Sequence, residues 1–140
     1  MTEVRITDKK MNIASSSENV LLVETLINDI CRDSSIPEDY YGNILVAVTE
    51  AFNNAVQHGN KLDPSKNVEV NVHVDQKNVQ FTIKDQGPGF DFNNLPDPTN
   101  PENIEKPNGR GVFLMRQLAD KVEFADNGAK VVLGFTIPAN

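Results

Sequence analysis

Seven apolar residues fall at strict two-residue spacing in two adjacent runs, Val68, Val70, Val72, Val74 and then Val79, Phe81, Ile83. Successive side chains of a strand point to opposite faces, so this alternation predicts a β-hairpin with one buried and one polar face. The runs are joined by a short turn, Asp75-Gln-Lys-Asn78. A strand with a single apolar face belongs to an antiparallel sheet covered on one side only. His73 lies on the polar face with Glu69 and Asn71 and reads as a surface residue.

Helical signals flank the hairpin. Ser15 and Glu18 have capping-box spacing and precede the periodic run Val20, Leu21, Val23, Leu26, Ile27, Ile30, predicting a first helix that ends near Asp33. Ser35-Ile-Pro-Glu38 repeats the spacing and puts Pro37 in a first turn, predicting a second helix to about Gly59. On that helix Tyr41, Ile44, Leu45, Val48, Phe52 and Ala55 share one side; Asn43, Glu50, Asn54 and Gln57 share the other. Before these elements, Val4–Thr7 and Met11–Ala14 are expected as a short strand pair. After the hairpin, residues 91–108 carry four prolines and predict a long loop of the kind that serves as a lid. Gly111–Asp120 predicts a third helix, and Val122–Phe124 and Val131–Ile137 predict two closing strands around Asp126-Asn-Gly128.

Size and charge narrow the function. A chain of 140 residues fits one domain, here the whole span 1–140. A net charge of −7 argues against nucleic acid, whose phosphates select basic surfaces. The single cysteine, Cys31, excludes an internal disulfide, and two separated histidines give no imidazole cluster. With no apolar run of about 20 residues and no signal-peptide pattern at the start, a cytoplasmic protein without a membrane segment is expected.

Three segments carry the chemistry. Glu50 and Asn54 sit four residues apart and project from one helix face, where a carboxylate and an amide can hold a metal ion beside a reacting hydroxyl. Their polar stripe has no Lys or Arg before Lys61, which favours a lined pocket over bulk solvent. Asp85-Gln-Gly-Pro-Gly89 directly follows a strand; Gly87 and Gly89 allow unusual dihedrals, and Asp85 is placed to accept a hydrogen bond from an exocyclic amine. Asn108-Gly-Arg-Gly111 precedes a helix, where unpaired N–H groups and the helix dipole suit phosphate and Arg110 adds charge. Taken singly, each also reads as a solvated helix face, a glycine turn or a loop end. The chain has no Walker A loop, no dinucleotide fingerprint and no Gly-x-Ser-x-Gly elbow.

In their order, Glu50-x3-Asn54, Asp85-x-Gly-x-Gly89 and Gly109-x-Gly111 resemble the N, G1 and G2 boxes of the GHKL ATPases. Within that superfamily the chain looks most like the bacterial anti-sigma-factor serine kinases of the RsbW type. Asn54-Ala-x-x-His58-Gly, Gly109-Arg-Gly-Val-Phe-Leu-Met115 and Asp120-x-Val-Glu-Phe support this, over roughly residues 10–137. The resemblance implies a histidine-kinase-like (Bergerat) α/β two-layer sandwich, a mixed and mostly antiparallel sheet with helices on one face. It also implies bound ATP and Mg²⁺. By position, Asn54 would ligate the metal, Asp85 would receive the adenine amine, and Gly87 and Gly89 would let the backbone pass the base. N–H groups of Gly109, Arg110, Gly111 and Val112 would cradle phosphate, and Glu50 would polarise the attacking hydroxyl. The implied activity is phosphorylation of a serine on an antagonist protein, with a sigma factor as second partner and homodimer formation left open.

One position departs from the family pattern. Where members often carry a Gly-Thr-Thr/x-Val segment, this chain has Gly128-Ala-Lys-Val131, so Ala129 offers no hydroxyl. A catalytically weak, nucleotide-dependent module that sequesters a sigma factor or other regulator is the alternative. A sensor histidine kinase would require a phospho-accepting helical hairpin ahead of helix two, where one helix and no histidine occur.

Overall fold

The computed structural model describes residues 7–89 and 109–137. In chain order the elements are β1 (Thr7–Ala14), α1 (Val20–Asp33), α2 (Glu38–Asn54), β2 (Asn67–Val74), β3 (Asn78–Lys84), α3 (Gly109–Leu118), β4 (Lys121–Ala125) and β5 (Lys130–Thr136). The strands form one sheet in the order β1-β2-β3-β5-β4. Every pairing among the described residues is antiparallel, in keeping with the mostly antiparallel sheet of the expected α/β two-layer sandwich. β1 pairs with β2 along its full length, Met11 opposite Val70 and Ile13 opposite Val68. Of the expected strand pair, Thr7 and Met11–Ala14 belong to the single strand β1, and Val4–Ile6 lie outside the described residues.

The alternation read in the sequence is the burial pattern of the sheet. Val68, Val70, Val72 and Val74 are buried, as are Val79, Phe81 and Ile83 and, on β5, Val131, Leu133 and Phe135. These side chains meet Val23, Ile27 and Ile30 of α1 and Ile44, Val48 and Phe52 of α2 in one core. Phe52 and Phe81 are completely enclosed, and each contributes roughly 1.5–3 kcal/mol relative to an exposed ring. The opposite sheet face carries Lys10, Glu69, Asn71, His73 and Thr82, none of them buried. Helices thus cover one face and leave the other polar.

Both expected capping boxes are replaced by other contacts. Ser15 is buried at the end of β1, where its N–H donates to Lys66 O (2.9 Å). A single 3-10 turn, Ser17–Asn19, leads into α1. Ser35 belongs to the exit of α1: it takes a left-handed conformation (φ 53°) and donates to Arg32 O. Pro37 is then the residue before α2 (ψ 141°), and its carbonyl accepts from Tyr40 N–H (2.9 Å) at the start of that helix. Helix two does reach Gly59, but its last turn, Ala55–Gly59, is a π-helical turn rather than α. Helix three starts at Gly109, two residues earlier than expected, and ends at Leu118. The expected lid at 91–108 lies outside the described residues. No described helix is long and apolar enough to cross a membrane.

Candidate functional site

A cleft of about 120 Å³ opens between the end of α2, α3 and one end of the sheet. Its walls are largely apolar: Ala51 and Ala55 from α2 and its π-turn, Ile83 and Val131 from the sheet, Met115 from α3 and Phe124 from β4. Among the described residues three polar side chains enter it, Asn54, His58 and Asp85. An apolar slot with a few convergent polar groups is the usual form of a small-molecule site.

Asp85 sits immediately beyond the last residue of β3. Its N–H donates to Ala129 O (2.9 Å), and its Oδ1 accepts from Gly87 N–H (2.8 Å). Burial raises its pKa above the ordinary carboxylate value; the Gly87 N–H and, less strongly, the Lys66 charge oppose this. Desolvation leads because the carboxylate is wedged against the protein's own backbone. A β-carbon on Gly59 would overlap the Asp85 carboxylate, and one on Gly87 would overlap the Gly59 carbonyl. These two glycines allow the end of α2 and the Asp85 loop to interlock.

Gly89 closes the far side. It has φ +87°, a region that favours glycine, and a β-carbon there would overlap the Asn127 carbonyl. Asp126, Asn127 and Gly128 are themselves all left-handed, with φ 52°, 59° and 100°. Lys84 pairs with Asp126 (3.3 Å), tying β3 to this turn. Ala129, the position that departs from the family threonine, lines the cleft and presents its carbonyl to Asp85 N–H.

Asn54 lies on the α2 side, facing the start of α3. A β-carbon on Gly111 would come 2.6 Å from Asn54 Nδ2. Gly109, Arg110, Gly111 and Val112 form the first turn of α3, whose N–H groups have no intrahelical acceptor. Arg110 is exposed, whereas Val112 is buried in the core. Glu50 is half-buried one turn before Asn54, outside the residues that line the cleft. The structure thus gathers Asn54, Asp85 and Gly89 at the cleft and sets Gly87 and Gly111 directly behind Asp85 and Asn54.

The sequence assigned no role to His58, Gly59 or Asn60, and each shapes this region. His58 is half-buried in the cleft wall, and burial lowers its pKa. Only its spacing four residues after Asn54 marked it. Asn60 is fully buried in the chain leaving the π-turn.

The donor set fits a nucleotide. The slot is apolar, and a desolvated carboxylate, Asp85, and an amide, Asn54, enter it; none of Gly109–Val112 is among its lining residues. Among the described residues no group of three or more His, Cys, Asp or Glu converges as a metal cage. The Asn54 side-chain amide offers an oxygen donor of the kind Mg²⁺ takes, with phosphate oxygens and water filling the rest of its shell.

The model of the histidine kinase-like ATPase domain matches residues 13–135. Proteins named "Serine-protein kinase RsbW" from Bacillus cereus (strain AH187) and Bacillus thuringiensis (strain Al Hakam) are each 26% identical over 130 residues, covering 89% of this chain and 81% of theirs. The crystal structure of the RsbU and RsbW domains of Rv1364c from Mycobacterium tuberculosis superposes on 96% of this chain with a TM-score of 0.66 and 15% identity. This chain spans 34% of that one, and the likeness establishes the fold. The chain belongs to the histidine kinase-like ATPase domain family.

Proposed function

We propose that this protein is an ATP-dependent serine/threonine protein kinase acting as an anti-sigma regulatory factor, which phosphorylates a serine of an antagonist protein. The observation that carries this reading is the half-buried Asp85 carboxylate, held between Gly59 and Gly87 at one end of an apolar cleft. The names of the relatives support the kinase reading.

Each residue then has a part. Asp85 accepts the exocyclic amine of adenine, and Ile83, Met115 and Val131 bury the ring faces. Asn54 would ligate Mg²⁺, and the first-turn N–H groups of Gly109–Val112, with Arg110, bind phosphate oxygens. Bound Mg²⁺ supplies the positive charge that a chain of net charge −7 lacks. Glu50 accepts the proton of the attacking serine hydroxyl as its oxygen bonds to the γ-phosphorus and ADP leaves. Phosphoryl transfer depends mostly on positioning and charge, so one held carboxylate is enough for the proton.

The test is incubation with Mg-ATP and a candidate antagonist. Phosphoserine should form, and Glu50→Ala should abolish it while ATP still binds. Unchanged transfer in that variant removes Glu50 from the role. A second reading, a sequestering module with little transfer, is favoured by Ala129, which gives the cleft rim no hydroxyl. Tight nucleotide-dependent capture of a sigma factor without phosphoserine would select it.

A further inference from the structure

We propose that Asn60 is a positioning residue for base recognition, holding the Asp85 loop against the end of α2 so that the carboxylate keeps its place in the cleft. The inference rests on the reading of Asp85 as the group that receives the adenine amine.

Among the described residues only two polar side chains are buried, Ser15 and Asn60. The Ser15 hydroxyl has no hydrogen-bond partner, whereas Asn60 uses both ends of its amide. Asn60 Oδ1 accepts from Gln86 N–H (2.7 Å), and Nδ2 donates to Asn67 O (3.0 Å). Its own N–H donates to Ala55 O (2.8 Å), closing the π-turn. The Gln86 side chain returns the link, its Oε1 accepting from Asn67 N–H (2.6 Å). One buried amide therefore joins the end of α2, the start of β2 and the loop after β3.

Gln86 directly follows Asp85, so fixing Gln86 N–H fixes the peptide on the C-terminal side of the carboxylate. On the N-terminal side Asp85 N–H is fixed to Ala129 O. The pair of anchors leaves the residue little freedom, and Gly87 packs onto the carbonyl of Gly59, the neighbour of Asn60. The role needs an acceptor and a donor on one short side chain. Asp keeps the acceptor and loses the donor; Ser is too short to span both; Ala has neither. A buried amide bonded at both its oxygen and its nitrogen would stabilise any fold, so stability alone does not test the role.

Discrimination does. The full chain, wild type and carrying Asn60→Asp, Asn60→Ser or Asn60→Ala, is titrated with ATP and with purine riboside triphosphate, which lacks the 6-amino group. Wild type should prefer ATP by about tenfold or more, the range of one hydrogen bond to a charged group. Asn60→Ala should lose most of that preference, with ATP weakened and the amine-free analogue changed by less than about threefold. Asn60→Asp, which keeps the contact to Gln86, should retain part of it, and it serves in place of Asn60→Ala if the latter does not fold. Folded variants that keep the wild-type ratio overturn the role of Asn60 and leave the nucleotide reading standing. A wild type that does not distinguish the two ligands overturns the reading of Asp85, and this inference with it.

Discussion

Gly111 on α3 and Asn54 on α2 meet so closely that a single methyl group would not fit between them. A β-carbon at Gly111 would lie 2.6 Å from Asn54 Nδ2 and 3.2 Å from both its Cγ and Oδ1. The missing side chain lets the first turn of α3 rest on the amide. Gly111→Ala should therefore turn Asn54 away and weaken Mg-ATP binding by about tenfold or more. Alanine is favoured over glycine in a helix by about 1 kcal/mol, which offsets the crowding, so the melting temperature should move little. Calorimetric titration beside a thermal melt separates the two effects; equal losses in both would contradict the prediction.

Asp85→Asn should divide stability from recognition in the opposite sense. Burial raises the Asp85 pKa, so its ionised form costs the folded state stability. The sign follows: that cost appears as pH rises above the ordinary carboxylate value toward the raised folded one. Asparagine carries no charge and keeps an oxygen for Gly87 N–H. The unliganded variant should melt at or above the wild-type temperature at neutral pH while ATP binding falls by roughly 30-fold or more. A lower melting temperature would show that the charge is stabilising after all.

Gly89→Ala should damage the fold as well as the cleft. Its φ of +87° is strained for alanine, and the new carbon would overlap the Asn127 carbonyl. A loss of about 1–3 kcal/mol in chemical denaturation is expected. A variant within about 0.5 kcal/mol of wild type would mean that the turn at Asp126–Gly128 yields easily.

His73 gives the edge of the sheet a pH dependence. Its Nδ1 lies 2.6 Å from Asp8 Oδ1 and its Nε2 3.6 Å from Asp75 Oδ2. The Asp8 hydrogen bond, helped by both negative charges, raises the imidazole above its ordinary value. A raised histidine contributes stability that is complete below its unfolded value and is lost as pH rises through the folded one. Protection factors of amides at the Asp8 end of β1, the intrinsic exchange rate at each pH divided by the observed one, should be higher near about pH 5.5 than near about pH 8.5, around the ordinary histidine range. Asp8→Asn should abolish most of that difference, and an unchanged profile in the variant would exclude the pair as its source.

What the sequence made legible was whatever depends on near neighbours. The Val68–Val74 and Val79–Ile83 alternation is a local property, and it located the hairpin and its buried face. Spacing likewise put Glu50 and Asn54 on one helix and Asp85 at a strand end. Ser15 and Ser35 were misread because a capping box is only one fate of a serine near a helix; Ser15 is recruited by Lys66 and Ser35 ends α1. Asn60 was illegible because its partners, Asn67 and Gln86, are brought to it by the hairpin. Gly87 and Gly89 were read as room for a base, and Gly111 as part of a phosphate-binding turn. At Gly59, Gly87, Gly89 and Gly111 the space is taken by Asp85, Gly59, Asn127 and Asn54, so much of the glycine pattern serves packing of the protein against itself.

The strand order β1-β2-β3-β5-β4 puts β3 in the middle of five, and Asp85 follows directly from it. A sheet frays from its outer strands inward, because they have a neighbour on one side only. The Asp85 carboxylate is anchored as far from both margins of the described sheet as its strand order permits, with two strands to either side. Opening that starts at either margin therefore reaches the strand carrying Asp85 only after two strands have come away.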